Sequence, residues 1–212
     1  MFAINSKRPP LIIGLTGGIA TGKSEAAKIF QSLDISVIDA DSISHQITTA
    51  NSNFTKKIIE YFGNKILNSD KSLNRSLIKK IIFSNKNKRM WLENLLHPEI
   101  INQMLTQAQK AKSKYCVLII PLLLENNLTH IVDRILIIDA DEKIQIARLK
   151  ERENISDALI QKILNAQTTR ETRLKIADDV IENNNDLERL KKQILSLHKK
   201  YLSLADKKIK FK

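Results

Sequence analysis

Glycine is scarce in this chain of 212 residues: there are five, alongside one cysteine, one tryptophan and four prolines, with aromatics at 5%. A single cysteine, Cys116, can close no internal disulfide, so a reducing, cytoplasmic setting is the simplest expectation. No apolar run nears the roughly 18 residues a membrane span requires, and no membrane is expected as a partner. The first ten residues carry Ser6, Lys7, Arg8 and two prolines but no apolar core of a secretory leader. His45, His130 and His198 have no partner at metal-ligand spacing, which argues against a zinc site or a Cys/His nucleophile. No internal repeat and no low-complexity linker is present.

Charge is unevenly signed. Lys and Arg number 35 against 23 Asp and Glu, giving a formal net charge of +12. A basic chain suits nucleic acid or anionic small molecules alike. Interleaved aromatics on which bases would stack are missing, which favours the small molecule. Ten basic residues lie between Lys56 and Arg89, opposed only by Glu60 and Asp70. They fit either solvated helix faces or a cradle for a phosphorylated acceptor, with Arg75 the favoured contact.

Four of the five glycines fall within nine positions, at Gly14, Gly17, Gly18 and Gly22. The string Gly17-Gly18-Ile19-Ala20-Thr21-Gly22-Lys23-Ser24 matches G-x-x-x-x-G-K-[ST] in full. Chance alone would give such a match in a chain of this length about once in a hundred. Backbone N–H groups in such a loop wrap a phosphate, so its side chains must be small. Lys23 sets a cation against the terminal phosphates, and Ser24 offers a hydroxyl to Mg²⁺.

The context agrees with the motif. Leu11–Thr16 reads as a strand buried on both faces, and Ser24–Leu33 has helical spacing. Further strands are expected at 35–38, 116–120, 135–138 and 180–181, with helical patterns at 42–112, 142–175 and 187–204. His97-Pro98 is expected to end the helix that contains Trp91, with His97 as its cap. Strands apolar throughout, alternating with helices, specify an α/β fold with a parallel sheet covered on both faces.

A P-loop serves several chemistries. A GTPase would need N-K-x-D, and Asn85-Lys86-Asn87-Lys88 lacks the acid. An ATPase would need an acidic pair after a strand; Asp139 with Asp141-Glu142 could supply it and keeps that reading open. A nucleotide-switched binding protein is a third alternative. A small-molecule kinase draws on Asp39-Ala40-Asp41 at the end of the second strand, where ligands of open parallel sheets bind. A carboxylate there can take the proton of an attacking hydroxyl, and either aspartate could instead cap the next helix. Arg148 and Arg152, four apart, share a helix face that could close over a triphosphate or simply be solvated beside Glu151 and Glu153; Arg170 and Arg173 follow.

Taken together, the glycine loop from Gly14 to Ser24, Val37-Ile38-Asp39-Ala40-Asp41, Leu73-Asn74-Arg75, Leu92-Glu93, His97-Pro98, Pro121-Leu122-Leu123-Leu124-Glu125, Gln167 and Ala177 to Asn183 resemble the dephospho-coenzyme A kinase family. The resemblance runs over about residues 11 to 204 and implies transfer of the ATP γ-phosphoryl to the ribose 3′-hydroxyl of dephospho-coenzyme A. It implies a P-loop fold with a five-stranded parallel sheet. The nucleotide-binding core would comprise 1–41, 113–141 and 176–212, with a helical acceptor-binding insertion at 42–112 and a lid at 142–175. Asp41 matches the family's catalytic carboxylate, Lys23 and Arg148 are expected to act beside it, and Arg148 and Arg152 fall in the lid. Residues 17–24 and Glu25 would hold ATP with Mg²⁺ at Ser24; Asn183 falls near the adenine, and Arg75 and His97 among the acceptor-binding helices. The expected partners are ATP and dephospho-coenzyme A, with no nucleic acid and a monomer or weak oligomer. Thr21 stands where serine is usual, Glu25 where threonine is usual, and Lys71 at a turn where glycine is common. Glu25 favours the helix dipole but adds a negative charge near a phosphate.

Overall fold

A computed structural model describes residues 10–153 and 155–210, with the side chains of 153, 209 and 210 outside the description. Most of the segment 1–10, where no secretory leader is expected, and the end of the basic tail at 207–212 lie outside the described residues. The elements run β1 (Leu11–Thr16), α1 (Lys23–Ser32), β2 (Ser36–Asp39), α2 (Ala40–Ile47), α3 (Asn53–Phe62), α4 (Arg75–Ser84) and α5 (Lys86–Lys110). There follow β3 (Tyr115–Ile119), β4 (Arg134–Asp139), α6 (Glu142–Glu153), α7 (Asp157–Asn165), α8 (Arg170–Lys175), β5 (Asp179–Glu182) and α9 (Leu187–Lys210).

The strands form one parallel sheet in the order β2-β3-β1-β4-β5. β1 takes the middle, with Ile13 opposite Val117 on one side and Gly14 opposite Ile135 on the other. Burial on both faces explains why its six residues are apolar except at the end: Ile13 and Leu15 are wholly buried. Leu190, Ile194, Tyr201 and Ala205 of α9 fall on one helical stripe and join Phe30 of α1 and the strand residues in a single core. Burying each large side chain of that core contributes about 1.5–3 kcal/mol. The core's polar edge is satisfied too: buried Asp179 receives Arg134 at 3.0 Å, the Tyr201 hydroxyl at 3.1 Å, and Lys200.

The chain divides into two compact units, 1–38 with 107–212, and 39–106. The second is all helix apart from one bridge between Leu67 and Leu73. Ser52 and Asn74 cap α3 and α4 by accepting from Thr55 and Leu77 N–H. The amphipathic helices bury Ile43, Ile58, Phe62, Ile66, Leu73 and Ile78, and Tyr61 stacks on Trp91 with centroids 3.9 Å apart. Lys71, at the turn position where glycine is common, adopts φ 65°, left-handed backbone held by its N–H to Asn68 and by Asn68 N–H to Ser72.

One expectation about a helix is corrected. α5 does not end at His97-Pro98; it runs through to Lys110 with Pro98 inside, so His97 is an interior helical residue and not a cap. Pro98 removes one helical N–H, but burial of Leu96 before it and Met104 after it outweighs that loss. The stretch 142–175 is three helices, because Ser156 and Thr169 accept the N–H groups of Leu159 and Thr172 and start new helices there.

Candidate active site

The loop from Gly17 to Gly22 leaves the carboxyl end of β1, the middle strand, and opens α1. Its shape depends on glycine at two points. Gly22 has φ 97°, and a Cβ there would lie 2.1 Å from the Asn183 amide nitrogen. Gly17 has φ 152°, and its Cβ would meet the Ile138 carbonyl oxygen at 2.3 Å. Ala20, with φ 57°, carries left-handed backbone without glycine's freedom.

The loop's carbonyls are tied down by its surroundings. Lys23 Nζ donates to Gly17 and Gly18 oxygens at 2.9 and 2.7 Å, so the lysine spans the loop. Thr21 Oγ1 donates to Gly18 O at 3.0 Å, an ordering bond that its replacement of serine retains. Arg148 in α6 donates to Ala20 O at 3.3 Å and Asn183 O at 3.0 Å, and Asn183 Nδ2 donates to Thr21 O at 2.8 Å. With the carbonyls taken up by these partners, the loop N–H groups after Ile19 are left for an anion at the head of α1, where the helix dipole adds to them. Ser24, in the first turn of α1, exposes its hydroxyl, while Glu25 beside it pairs with Lys28 at 3.0 Å.

Gly22, Glu25, Arg148, Asn183, Asn185 and Leu187 surround a cavity of about 260 Å³ next to the loop. Arg152, one turn beyond Arg148, is exposed. Among the described residues no cluster of three or more His, Cys, Asp or Glu side chains could hold a metal ion by itself. The donor set that does exist, a serine hydroxyl beside a phosphate cradle, suits Mg²⁺ carried in on nucleotide phosphates.

Sequence reasoning missed a second group of residues at this loop. Ile19 N–H donates to Gln167 Oε1 at 3.1 Å, from the turn between α7 and α8. That turn is fastened: Thr168 N–H donates to Glu125 Oε1 at 2.9 Å, and Arg173 donates to the Thr168 carbonyl. Arg173 is buried, and burial holds its guanidinium below the usual arginine range. Gln145 is buried, and its Oε1, 2.8 Å from where a Gly18 Cβ would sit, has no hydrogen-bond partner among the described residues. Glu125 and Gln167 stand in the strings that carry the family resemblance, but their spacing from the loop, 148 residues for Gln167, hides the contact.

The acidic pair that kept an ATPase reading open has another use. Buried Asp139 takes two hydrogen bonds from Arg170 Nε and one at 2.6 Å from Nη2, and Asp141 takes Arg170 at 3.1 Å. Those carboxylates raise the Arg170 pKa, chiefly through the Asp139 hydrogen bonds. Arg170 therefore clamps the start of α8 to the end of β4.

In the helical unit, Asp39 is the N-cap of α2, accepting from Asp41 N–H at 3.0 Å and Ser42 Oγ at 3.2 Å. Asp41 stands in the first turn of α2, exposed, where the capping reading would have taken it out of chemistry. Arg75 donates to Thr48 Oγ1 at 2.8 Å, and burial lowers its pKa. It lines a cavity of about 150 Å³ with Ser44, Thr48, Ile58, Leu92 and Leu96; His97, half-buried on α5, does not line it.

A phosphate loop at the carboxyl end of the middle strand of a five-stranded parallel sheet defines a P-loop nucleotide-binding protein. The family model for CoaE, dephospho-CoA kinase, matches residues 11–189. A dephospho-CoA kinase of Coxiella burnetii is 50% identical over 196 residues, 92% of this chain and 98% of that one. Among solved structures, TT1252 from Thermus thermophilus superposes with a TM-score of 0.79 at 26% identity, covering 90% of this chain and 97% of that one. A dephospho-CoA kinase from Campylobacter jejuni gives 0.68 at 28%, covering 91% and 97%. The chain belongs to the dephospho-CoA kinase family.

Proposed function

We propose that this protein transfers the γ-phosphoryl group of ATP to the ribose 3′-hydroxyl of dephospho-coenzyme A, giving coenzyme A and ADP. The observation that carries this reading is the phosphate loop, held open by Lys23, Arg148 and Asn183 in a chain whose family acts on this acceptor. The loop N–H groups from Ala20 to Ser24 hold the ATP phosphates, with Lys23 against the terminal ones. Arg148 and Asn183 border the neighbouring cavity, into which the adenosine part of ATP fits, and Glu25 edges it. Mg²⁺, held by the phosphates and Ser24, would neutralise charge that develops on the phosphoryl oxygens.

Asp41 accepts the proton of the 3′-hydroxyl as the phosphoryl moves, the role its exposed place in the first turn of α2 permits. Arg75, on the cavity of the helical unit, meets an anionic group of dephospho-coenzyme A, and His97 contributes to the same acceptor surface. Residues 142–175 serve as a lid whose Arg148 and Arg152 shield the migrating charge. The same reading has the protein act as a monomer or weak oligomer in the cytoplasm, on small molecules and not on nucleic acid. No helix among the described residues is long and apolar enough to cross a membrane.

The test is ADP release from Mg·ATP with dephospho-coenzyme A, adenosine or RNA supplied in turn. Release that requires dephospho-coenzyme A, with the product confirmed by mass, is expected. Stimulation by RNA, or release indifferent to any acceptor, would return the assignment to an ATPase.

A further inference from the structure

We propose that Gln167 is a further catalytic residue: its side-chain amide, fixed against the phosphate loop, donates through Nε2 to the terminal phosphoryl group of ATP. The proposal rests on the ATP reading of the loop given above.

Three features of the geometry support it. The Ile19 N–H donates to Gln167 at 3.1 Å, so the atom facing it must be the amide oxygen, and the Gln167 amide has one possible orientation. The NH₂ arm is then the other arm of the planar amide, turned away from the Ile19 N–H, and has no hydrogen-bond partner among the described residues, although the side chain is half-buried. Lastly, the turn that delivers it is anchored before any ligand arrives. Gln167 N–H donates to Leu164 O at 3.1 Å, and Thr168 is fixed at its N–H by Glu125 and at its carbonyl by Arg173. A side chain ordered in advance loses little further entropy when it binds.

Ile19 stands at the near end of the phosphate cradle, before the residues that run into α1. A donor pair held beside it extends the cradle beyond the backbone N–H groups. A neutral amide donating to an ionised phosphoryl oxygen makes a charge-assisted bond, which strengthens as charge builds on the migrating group.

Gln167→Glu separates this role from simple fastening of the loop. Glutamate keeps an oxygen for the Ile19 N–H but replaces the free NH₂ with an anionic oxygen. If Gln167 only ties the loop, Glu should serve as well as Gln, and Gln167→Ala should be the worse variant. If Gln167 donates to the phosphoryl group, Glu should be the worse: kcat is expected to fall about 100-fold in Gln167→Glu and about 10-fold in Gln167→Ala. By calorimetry, a non-hydrolysable ATP analogue should bind Gln167→Glu about tenfold more weakly, while ADP, lacking the γ-phosphoryl, changes less than about threefold. Melting curves check that each variant folds; should the Glu variant not fold, the ADP-against-analogue split in Gln167→Ala decides. A Glu variant with wild-type kcat, or equal losses for ADP and the analogue, would overturn the proposal. Wild-type protein that binds neither nucleotide would instead sink the ATP reading beneath it.

Discussion

In the phosphate loop, the carbonyls of Gly17, Gly18, Ala20 and Thr21 each receive a side-chain hydrogen bond, from Lys23, Arg148 or Asn183. In the helical unit, the cavity beside α2 and α4 is lined mainly by hydrocarbon, with Arg75 and Lys79 as its charged members. On the proposed reading, the contrast follows from what each would recognise. A phosphate is read by backbone N–H groups, which cannot adjust one at a time, so the loop is built rigid before the ligand comes. An acceptor as long as dephospho-coenzyme A cannot enter a space of about 150 Å³, since sites that bury drug-sized ligands run to roughly 300–1,000 Å³. On the proposed reading only part of the acceptor would lodge there, and the charged groups Arg75 and Lys79 would carry the recognition.

The comparison breaks hardest at Asp41. Asp41→Asn keeps the helix start and removes the proposed base, so kcat should fall by about 10²–10⁴-fold while KM for ATP stays within a few-fold. Steady-state kinetics decide it, and comparable kcat would remove Asp41 from the mechanism. On the rigid side, Gly22→Ala puts a Cβ into Asn183 at a left-handed φ, costing about 1–3 kcal/mol of stability. Calorimetry with ADP should show binding lost, whereas dephospho-coenzyme A binding should survive. Arg170→Ala leaves Asp139 buried without its guanidinium; allowing for Arg170 being nearly half exposed, the loss should be about 1–2 kcal/mol in urea melts. Arg75→Ala should raise KM for dephospho-coenzyme A about tenfold and leave ADP affinity unchanged, the mildest of the four variants and the one that isolates the acceptor side.

Alkaline pH probes the sheet that carries the loop. Burial pushes the Cys116 thiol from 9.0 up to about 12, and raises the Tyr115 and Tyr201 hydroxyls as well. These acids ionise more readily in the unfolded chain. Their stabilisation is complete below about pH 9 and is lost as pH climbs from there towards about 12. Thermal melts should show Tm falling across that window, and Cys116 should resist alkylation in the folded protein at pH 8.

How much of this was legible in the sequence differs between the two regions in the same way. The apolar run Leu11–Thr16 and the glycine cluster specify strand, loop and helix by local chemistry, and the structure has them within a residue of expectation. The alternation of apolar strands with helices led to the parallel α/β sheet because buried parallel strands leave so distinct a pattern, and the family strings implied the nucleotide-binding core. Pro98 misled because a residue before proline usually leaves the helix, and only the packing of Leu96 and Met104 reverses that preference. The breaks at Ser156 and Thr169 depend on single side-chain caps inside a continuous polar pattern. Gln167 carried no local sign of its contact with Ile19, and Arg170 gave none of its attachment to Asp139, since both are long-range pairings of ordinary polar residues.

The most direct test of a donor site built in advance is calorimetric titration of the full chain with a non-hydrolysable ATP analogue and Mg²⁺, without acceptor, followed by ATP turnover with and without dephospho-coenzyme A. Saturable one-to-one binding in the first experiment, with ADP release only when the acceptor is present in the second, is the expected result. Nucleotide binding that appears only after dephospho-coenzyme A is added would contradict it.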